Sequence, residues 1–284
     1  MGNITFRRGI PGIVPDAYIV GATAPTQSPP VVAVHGIRRE VESMAQLMER
    51  RAREIVRTIV LPHFDIGSWK RYQMAACKNR SDLGLLALMD NLVREGHVNA
   101  GRFDLSGFSG GAQFAHRFAW IHPDVVDRLC LTAPGWWTFP EVEISWPYGT
   151  GTSSGPRSVT GHWLQANLAS FLDREITVCV GSEDVSRDKN LRKGDDIDAQ
   201  QGMTRVTRAK RWCDAISQAA KRAGVTPHIS FELLEGCGHS FETCAVRARL
   251  DQHFAAPARR CAGCAAHRQC TKHISLKGLE RTAA

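Results

Sequence analysis

At 284 residues, with 43% apolar and 23% charged side chains, the chain is long enough to bury a large core and has the composition of an ordinary globular protein. No run approaches the length of a membrane span, and the first twenty residues, broken by Pro11 and Pro15, lack the apolar stretch of a secretory signal. A cytoplasmic protein with no membrane partner is therefore expected. The net charge of +8 is unevenly placed: residues 257–284 carry six Lys or Arg against one acid, Glu280, and the body is nearly balanced, which argues against nucleic acid as the main partner.

In chain order, "PPVVAVHGI" (29–37) is a short apolar run after prolines and predicts a buried strand. Val41, Met44, Leu47, Met48, Ala52 and Ile55 then recur at helical spacing, with charges on the other face. "TIVLPHF" (58–64) predicts the next strand, and after a polar loop Ser81 and Asp82 are expected to cap a helix running to about residue 96. "RFDLSGF" predicts a strand and the residues from Gly110 a helix. "RLCLTAP" (128–134), "EITVCVG" (175–181) and "HISFELLEG" (228–236) predict three more strands. Helices are expected near 160–172, 200–223 and 241–255. Alternating apolar strands and helices imply a mainly parallel sheet with helices on both faces, and in such sheets ligands sit beyond the carboxyl ends of the strands.

Two regions break the rhythm. Residues 135–160 are rich in Trp, Pro and Gly and are expected to form an insert over the site, and residues 257–284 form the basic, cysteine-containing tail. Residues 1–256 are expected to make up the functional domain. The nine cysteines are an odd number; Cys130 and Cys179 fall inside strand-like runs as small hydrophobes, and reduced thiols are expected.

The run "GFSGG" matches G-x-S-x-G as Gly107-Phe108-Ser109-Gly110-Gly111. Between a strand and an amphipathic helix, the pattern predicts a tight turn that lifts the serine oxygen above the sheet, with glycines where side chains would clash. A glycine-rich turn with an incidental serine is the alternative. A serine hydroxyl needs a base to attack at neutral pH, and the base needs an orienting carboxylate. The expected chain order is serine, acid, histidine, each on a loop after a strand. Asp184 is the first Asp beyond "EITVCVG", with Glu183 and Asp188 as alternatives. His239 stands in "CGHSFE", after the final strand. An oxyanion would be held by two backbone N–H groups: that of Gly110, after the nucleophile, and that of Ile37, after His35-Gly36. His35 itself is expected to orient that loop.

Through "VHGI", "GFSGG", "VGSED" and "GCGHS", which stand in the family's order, roughly residues 17 to 255 resemble the α/β-hydrolase superfamily. Within it, "GFSGGAQFAHRFAWIHPDVVDRL" and "APGWWTFP" are most similar to bacterial serine esterases related to polyhydroxybutyrate depolymerases and feruloyl esterases. The resemblance implies the α/β-hydrolase fold with a short insert after the sixth strand. It also implies a serine hydrolase that cleaves a small-molecule carboxylic ester with a Ser109-Asp184-His239 triad, without metal or organic cofactor. Acyl transfer from the same intermediate, or a hydrolase-fold binding protein without turnover, are the other readings. The chain departs from the secreted depolymerases in lacking an export signal.

Around the site, Trp136 and Trp137 are placed either to roof the pocket or to pack the insert on the sheet. Arg38 and Arg39, just past the oxyanion turn, either meet an acidic substrate or belong to the solvated first turn of a helix. In the tail, Cys261, Cys264, Cys270 and His273 have the spacing C-x2-C-x5-C-x2-H, which suits a zinc or iron–sulfur centre or a run of free thiols.

Overall fold

The strands are β1 (Asn3–Arg7), β2 (Asp16–Gly21), β3 (Val31–Val34), β4 (Ile59–His63), β5 (Phe103–Phe108), β6 (Val126–Thr132), β7 (Glu175–Gly181) and β8 (Ile229–Leu234). They share one sheet in the order β1-β2-β4-β3-β5-β6-β7-β8. β2 runs antiparallel to both of its neighbours, and every pairing from β4 to β8 is parallel. This computed structural model describes residues 3–21, 26, 28–99, 101–152 and 158–256.

The helices are α1 (Val41–Ile55), α2 (Ser81–Arg94), α3 (Gly110–Ile121), α4 (Ser158–Ala166), α5 (Leu168–Leu172), α6 (Asp195–Gln201), α7 (Arg205–Arg222), α8 (Phe241–Ala248) and α9 (Leu250–Phe254). They cover both faces of the sheet, and strand alternation sorts the apolar residues between them. Val32 and Val34 of β3, Leu129 and Leu131 of β6, and Val178 and Val180 of β7 join Phe114, Trp120 and Trp212 in the larger core. The residues between them, Ala33, Cys130 and Cys179, face the other way and join Met44 and Met48 of α1 and Phe254 of α9. Cys130 and Cys179 are fully buried and unbridged, as expected of small hydrophobes.

The structure departs from the sequence expectations in five places. β1 and β2 were not among the expected strands. β1 is a mostly exposed edge strand whose position is set by antiparallel pairing with β2 and by the Arg7–Glu95 ion pair, and neither leaves a periodic signal. Ser81 and Asp82 do not cap α2. The Ser81 hydroxyl donates to the carbonyls of Tyr72 and Ala75, and Asp82 is buried between Arg80 and His122. The helix expected near 160–172 is two, α4 and α5, parted at Asn167. The helix expected near 200–223 starts only at Arg205, as α7, after a separate short helix, α6, that stops before Gly202 with its φ of +99°. Likewise α8 and α9 are parted at Arg249, in the left-handed region. The tail residues Cys261, Cys264, Cys270 and His273 lie outside the described residues.

Candidate active site

β5 ends at Phe108 and α3 begins at Gly110, leaving Ser109 alone in the turn with φ +54° and ψ −111°. A non-glycine residue is strained there, and the surroundings hold it: the Ser109 N–H donates to the carbonyl of Thr132, at the end of β6. The flanking glycines allow the turn to close. A Cβ on Gly107 would stand 2.3 Å from the Gly111 carbonyl, and one on Gly111 would stand 2.1 Å from that of Val34. No larger residue lets α3 start so close to β3 and β5.

Asp184 lies on the loop after β7 and His239 on the loop after β8, and these loops are tied together. The Glu183 N–H donates to the Cys237 carbonyl, and the Gly236 N–H to the Ser182 hydroxyl. His239 Nδ1 donates to Asp184 Oδ2 over 2.7 Å, and Ser109 Oγ is 3.0 Å from His239 Nε2. Phe108 packs against the imidazole, ring centroids 5.1 Å apart. The structure thus brings together Ser109, His239 and Asp184, residues 55 to 130 positions apart. Of the alternative acids, Glu183 is exposed, and Asp188 is engaged elsewhere.

Sequence reading missed the group behind Asp184. Arg205, fully buried at the start of α7, uses Nη1 to reach both Asp184 Oδ1 at 3.0 Å and Asp188 Oδ2 at 2.6 Å. That hydrogen bond from Arg205 holds the Asp188 carboxyl down at about 2. A fixed cation therefore occupies the Asp184 oxygen that His239 does not use. An arginine in an amphipathic helix carries no signal of this in one dimension.

Opposite Ser109, the turn after β3 is held by side chains that accept or donate in one way only. Phe64 N–H donates to His35 Nε2 at 3.1 Å, so His35 Nδ1 carries the proton and donates to the Gly36 carbonyl at 2.8 Å. Burial pushes His35 down to about 3, which keeps it neutral. The Tyr72 hydroxyl donates to the His35 carbonyl, and Arg39 donates to the carbonyls of Ile37, Phe64 and Trp69. A Cβ on Gly110 would lie 3.2 Å from Ile37 N, so the two backbones approach closely beside Ser109. Gly110 opens α3, where N–H groups lack intrahelical acceptors. The Gly110 and Ile37 backbones thus border one small space beside Ser109.

Two clefts meet at Ile37 and Asn190. The first, about 590 Å³, runs past Arg38, Met44, Ser109, His239 and Phe241. The second, about 470 Å³, is walled by Gln73, Gln113, Trp136, Lys189, Arg192 and Lys193. Arg38 is an exposed wall residue, whereas the guanidinium of Arg39 is spent on the carbonyls named above. Trp136 borders the second cleft. Trp137 is not brought to either one: it is fully buried and stacks on Trp212 at 4.3 Å, because the insert needs an apolar anchor on α7.

No family model matches the chain, and no curated protein matches it in sequence. Its folded form does have relatives. A poly(aspartic acid) hydrolase from Sphingomonas sp. KT-1 superposes with a TM-score of 0.72 at 17% identity, covering 88% of this chain and 97% of the other. A poly(3-hydroxybutyrate) depolymerase from Bordetella parapertussis gives 0.72 at 22% identity, with 90% and 91% covered. The chain has the α/β-hydrolase fold. An S-formylglutathione hydrolase from Agrobacterium tumefaciens superposes less closely, with a TM-score of 0.55 at 15% identity over 89% of this chain and 94% of that one. In this fold Ser109 stands alone in the strand-to-helix turn after β5. Among the described residues, no helix is long and apolar enough to cross a membrane.

Proposed function

We propose that the protein is a serine hydrolase that cleaves a carboxylic ester through an acyl-serine intermediate. The observation that carries this reading is the unbroken chain Ser109 Oγ, His239 Nε2, His239 Nδ1, Asp184 Oδ2, with steps of 3.0 and 2.7 Å and Ser109 in a strained turn. As Ser109 Oγ bonds to the acyl carbon, its proton passes to His239 Nε2, and Asp184 stabilises the imidazolium. The carbonyl oxygen takes up the electron pair of the broken π bond and accepts from the N–H groups of Gly110 and Ile37. Collapse expels the alcohol, which leaves with the proton from His239. Water, deprotonated by the same histidine, then attacks the acyl-serine and releases the acid.

In this reading Arg205 is a positioning residue: it holds Asp184 through the oxygen that does not face His239. Arg38 would meet substrate in the first cleft and Trp136 in the second. The names of the structural neighbours, hydrolases of polymer esters and of a poly(amino acid), agree with acyl transfer to water. The test is to treat the protein with a fluorophosphonate probe and a series of 4-nitrophenyl esters. Labelling and turnover are expected, and both are expected to vanish in Ser109→Ala. A Ser109→Ala protein that hydrolyses the esters at the wild-type rate ends the proposal.

A further inference from the structure

The second cleft is lined by three cations, Lys189, Arg192 and Lys193, and by no acid. Two of the four acids between residues 188 and 198 are already matched. Asp188 is paired with Arg205, and Asp198 with Arg187 and Arg208. Asp195 and Asp196 are exposed in the first turn of α6 and do not wall the cleft. Lys189 and Lys193 are exposed, and neither has an ion-pair partner among the described residues.

A fourth cation lies beneath. Arg117 of α3 is fully buried, and no carboxylate pairs with it among the described residues. Its Nη1 donates to the main-chain carbonyls of Gln73 and Gln113, both wall residues of this cleft, and its Nη2 has no partner. Trp136, a third wall residue, lies over the guanidinium, 4.0 Å from ring centroid to Cζ. A buried charge costs free energy unless something offsets it, and here the offsetting groups are neutral: carbonyl dipoles, ring faces and the Thr138 hydroxyl, which accepts from Arg117 Nε at 3.0 Å. The cleft thus has an unneutralised cation under its floor and three more on its rim, within reach of the Ser109 turn through Ile37 and Gln113.

We propose that the second cleft binds a carboxylate, so that the substrate is an anionic ester carrying a free carboxylate on its acyl or its alcohol part. This rests on the serine hydrolase reading and adds the substrate class to it. The carboxylate takes its place along Lys189, Arg192 and Lys193 while the scissile carbonyl stands at Ser109.

Two ester pairs test it: mono(4-nitrophenyl) glutarate against its methyl ester, and 4-acetoxybenzoate against its methyl ester. Each kcat/KM is divided by the rate of hydroxide-catalysed hydrolysis. In one pair the anionic member is expected to be preferred roughly ten-fold or more at low salt, and that pair tells whether the acyl or the alcohol part carries the charge. The preference should shrink in 0.5 M NaCl, and Lys189→Glu/Lys193→Glu should abolish or invert it. The salt arm needs no variant, so a misfolded double variant does not rescue the idea. Hydrolysis of the neutral esters with no anionic preference in either pair, or with a preference indifferent to both salt and charge reversal, overturns the carboxylate site and leaves the hydrolase reading standing. No hydrolysis of any of the four, together with no fluorophosphonate labelling, overturns the hydrolase reading itself.

Discussion

The two walls on either side of Ser109 are each supported by one buried histidine, and they finish differently. On the wall that faces Ile37, His35 accepts from Phe64 N–H and donates to the Gly36 carbonyl, and the turn it holds has its carbonyls occupied. On the wall that faces Gln113, His116 accepts from Thr138 N–H and bonds the Ala112 carbonyl, fastening the insert to α3. There the neighbouring Gln73 Oε1, Gln113 Oε1 and Arg117 Nη2 are buried without a partner. The first wall presents backbone groups fixed before any ligand arrives, which is what stabilising a transient charge requires. The second leaves polar capacity unspent, which is what selecting a ligand requires. In the proposed reaction one side of the serine would serve the chemistry and the other the choice of ligand.

The largest break in that comparison comes from the groups that join the walls. Asp184→Asn should lower kcat by about 10³–10⁴, because His239 loses the acceptor that fixes its tautomer. Glu183→Gln and Asp188→Asn should cost less than about ten-fold, since Glu183 faces solvent and Asp188 is hydrogen-bonded to Arg205 rather than to His239. Steady-state kinetics on one activated ester ranks the three, and a mild Asp184→Asn beside a severe partner reassigns the acid.

Next in size is the chemical wall alone. Gly110→Ala puts a methyl group 3.2 Å from Ile37 N and 2.9 Å from the Tyr72 hydroxyl, so the Gly110 and Ile37 backbones must shift apart and the space they would offer an oxyanion changes. A fall of about 10- to 10²-fold in kcat with little change in KM is expected, since only the transition state uses that space. A rise in KM at constant kcat would show that Gly110 borders substrate and not an oxyanion.

Both supporting histidines make a joint prediction about pH. Burial holds His35 at about 3 and drives His116 well below the ordinary value of 6.5. The unfolded chain takes up protons at these positions below about pH 6.5 while the folded chain does not. Their contribution to stability is therefore complete above that pH and is lost as pH falls toward 3. At pH 5, each histidine that stays neutral lowers the unfolding free energy by about 2 kcal/mol relative to neutral pH. Urea unfolding at pH 7 and pH 5 measures the loss. His35→Gln and His116→Gln should each flatten the dependence, and a slope unchanged in both variants would remove the histidines from its cause.

The smallest effect is expected from the tail. Every group assigned to either wall lies before residue 257. Deleting residues 257–284 should alter small-ester turnover by less than about two-fold. Elemental analysis of the full and shortened proteins, purified without added metal, tests Cys261, Cys264, Cys270 and His273 in the same experiment. About one zinc or iron–sulfur centre lost on truncation is expected if they are ligands.

The sequence by itself determined the alternation of strands and helices, the glycine-bounded serine and the chain order of Ser109, Asp184 and His239. Each of these depends on neighbours a few residues away, through periodicity, turn sterics or position after a strand. Tertiary structure alone decided the rest. β1 is a strand because β2 lies beside it. Ser81 turns inward because the Tyr72 and Ala75 carbonyls lie within reach of its hydroxyl, and Trp137 leaves the site because Trp212 offers it a stacking face. Arg205, 21 residues from Asp184, and Arg117, beneath a cleft edged by a loop more than seventy residues on, have their roles only where distant segments meet. Charge and hydrogen bonding act through space, and the one-dimensional pattern records only what acts along the chain.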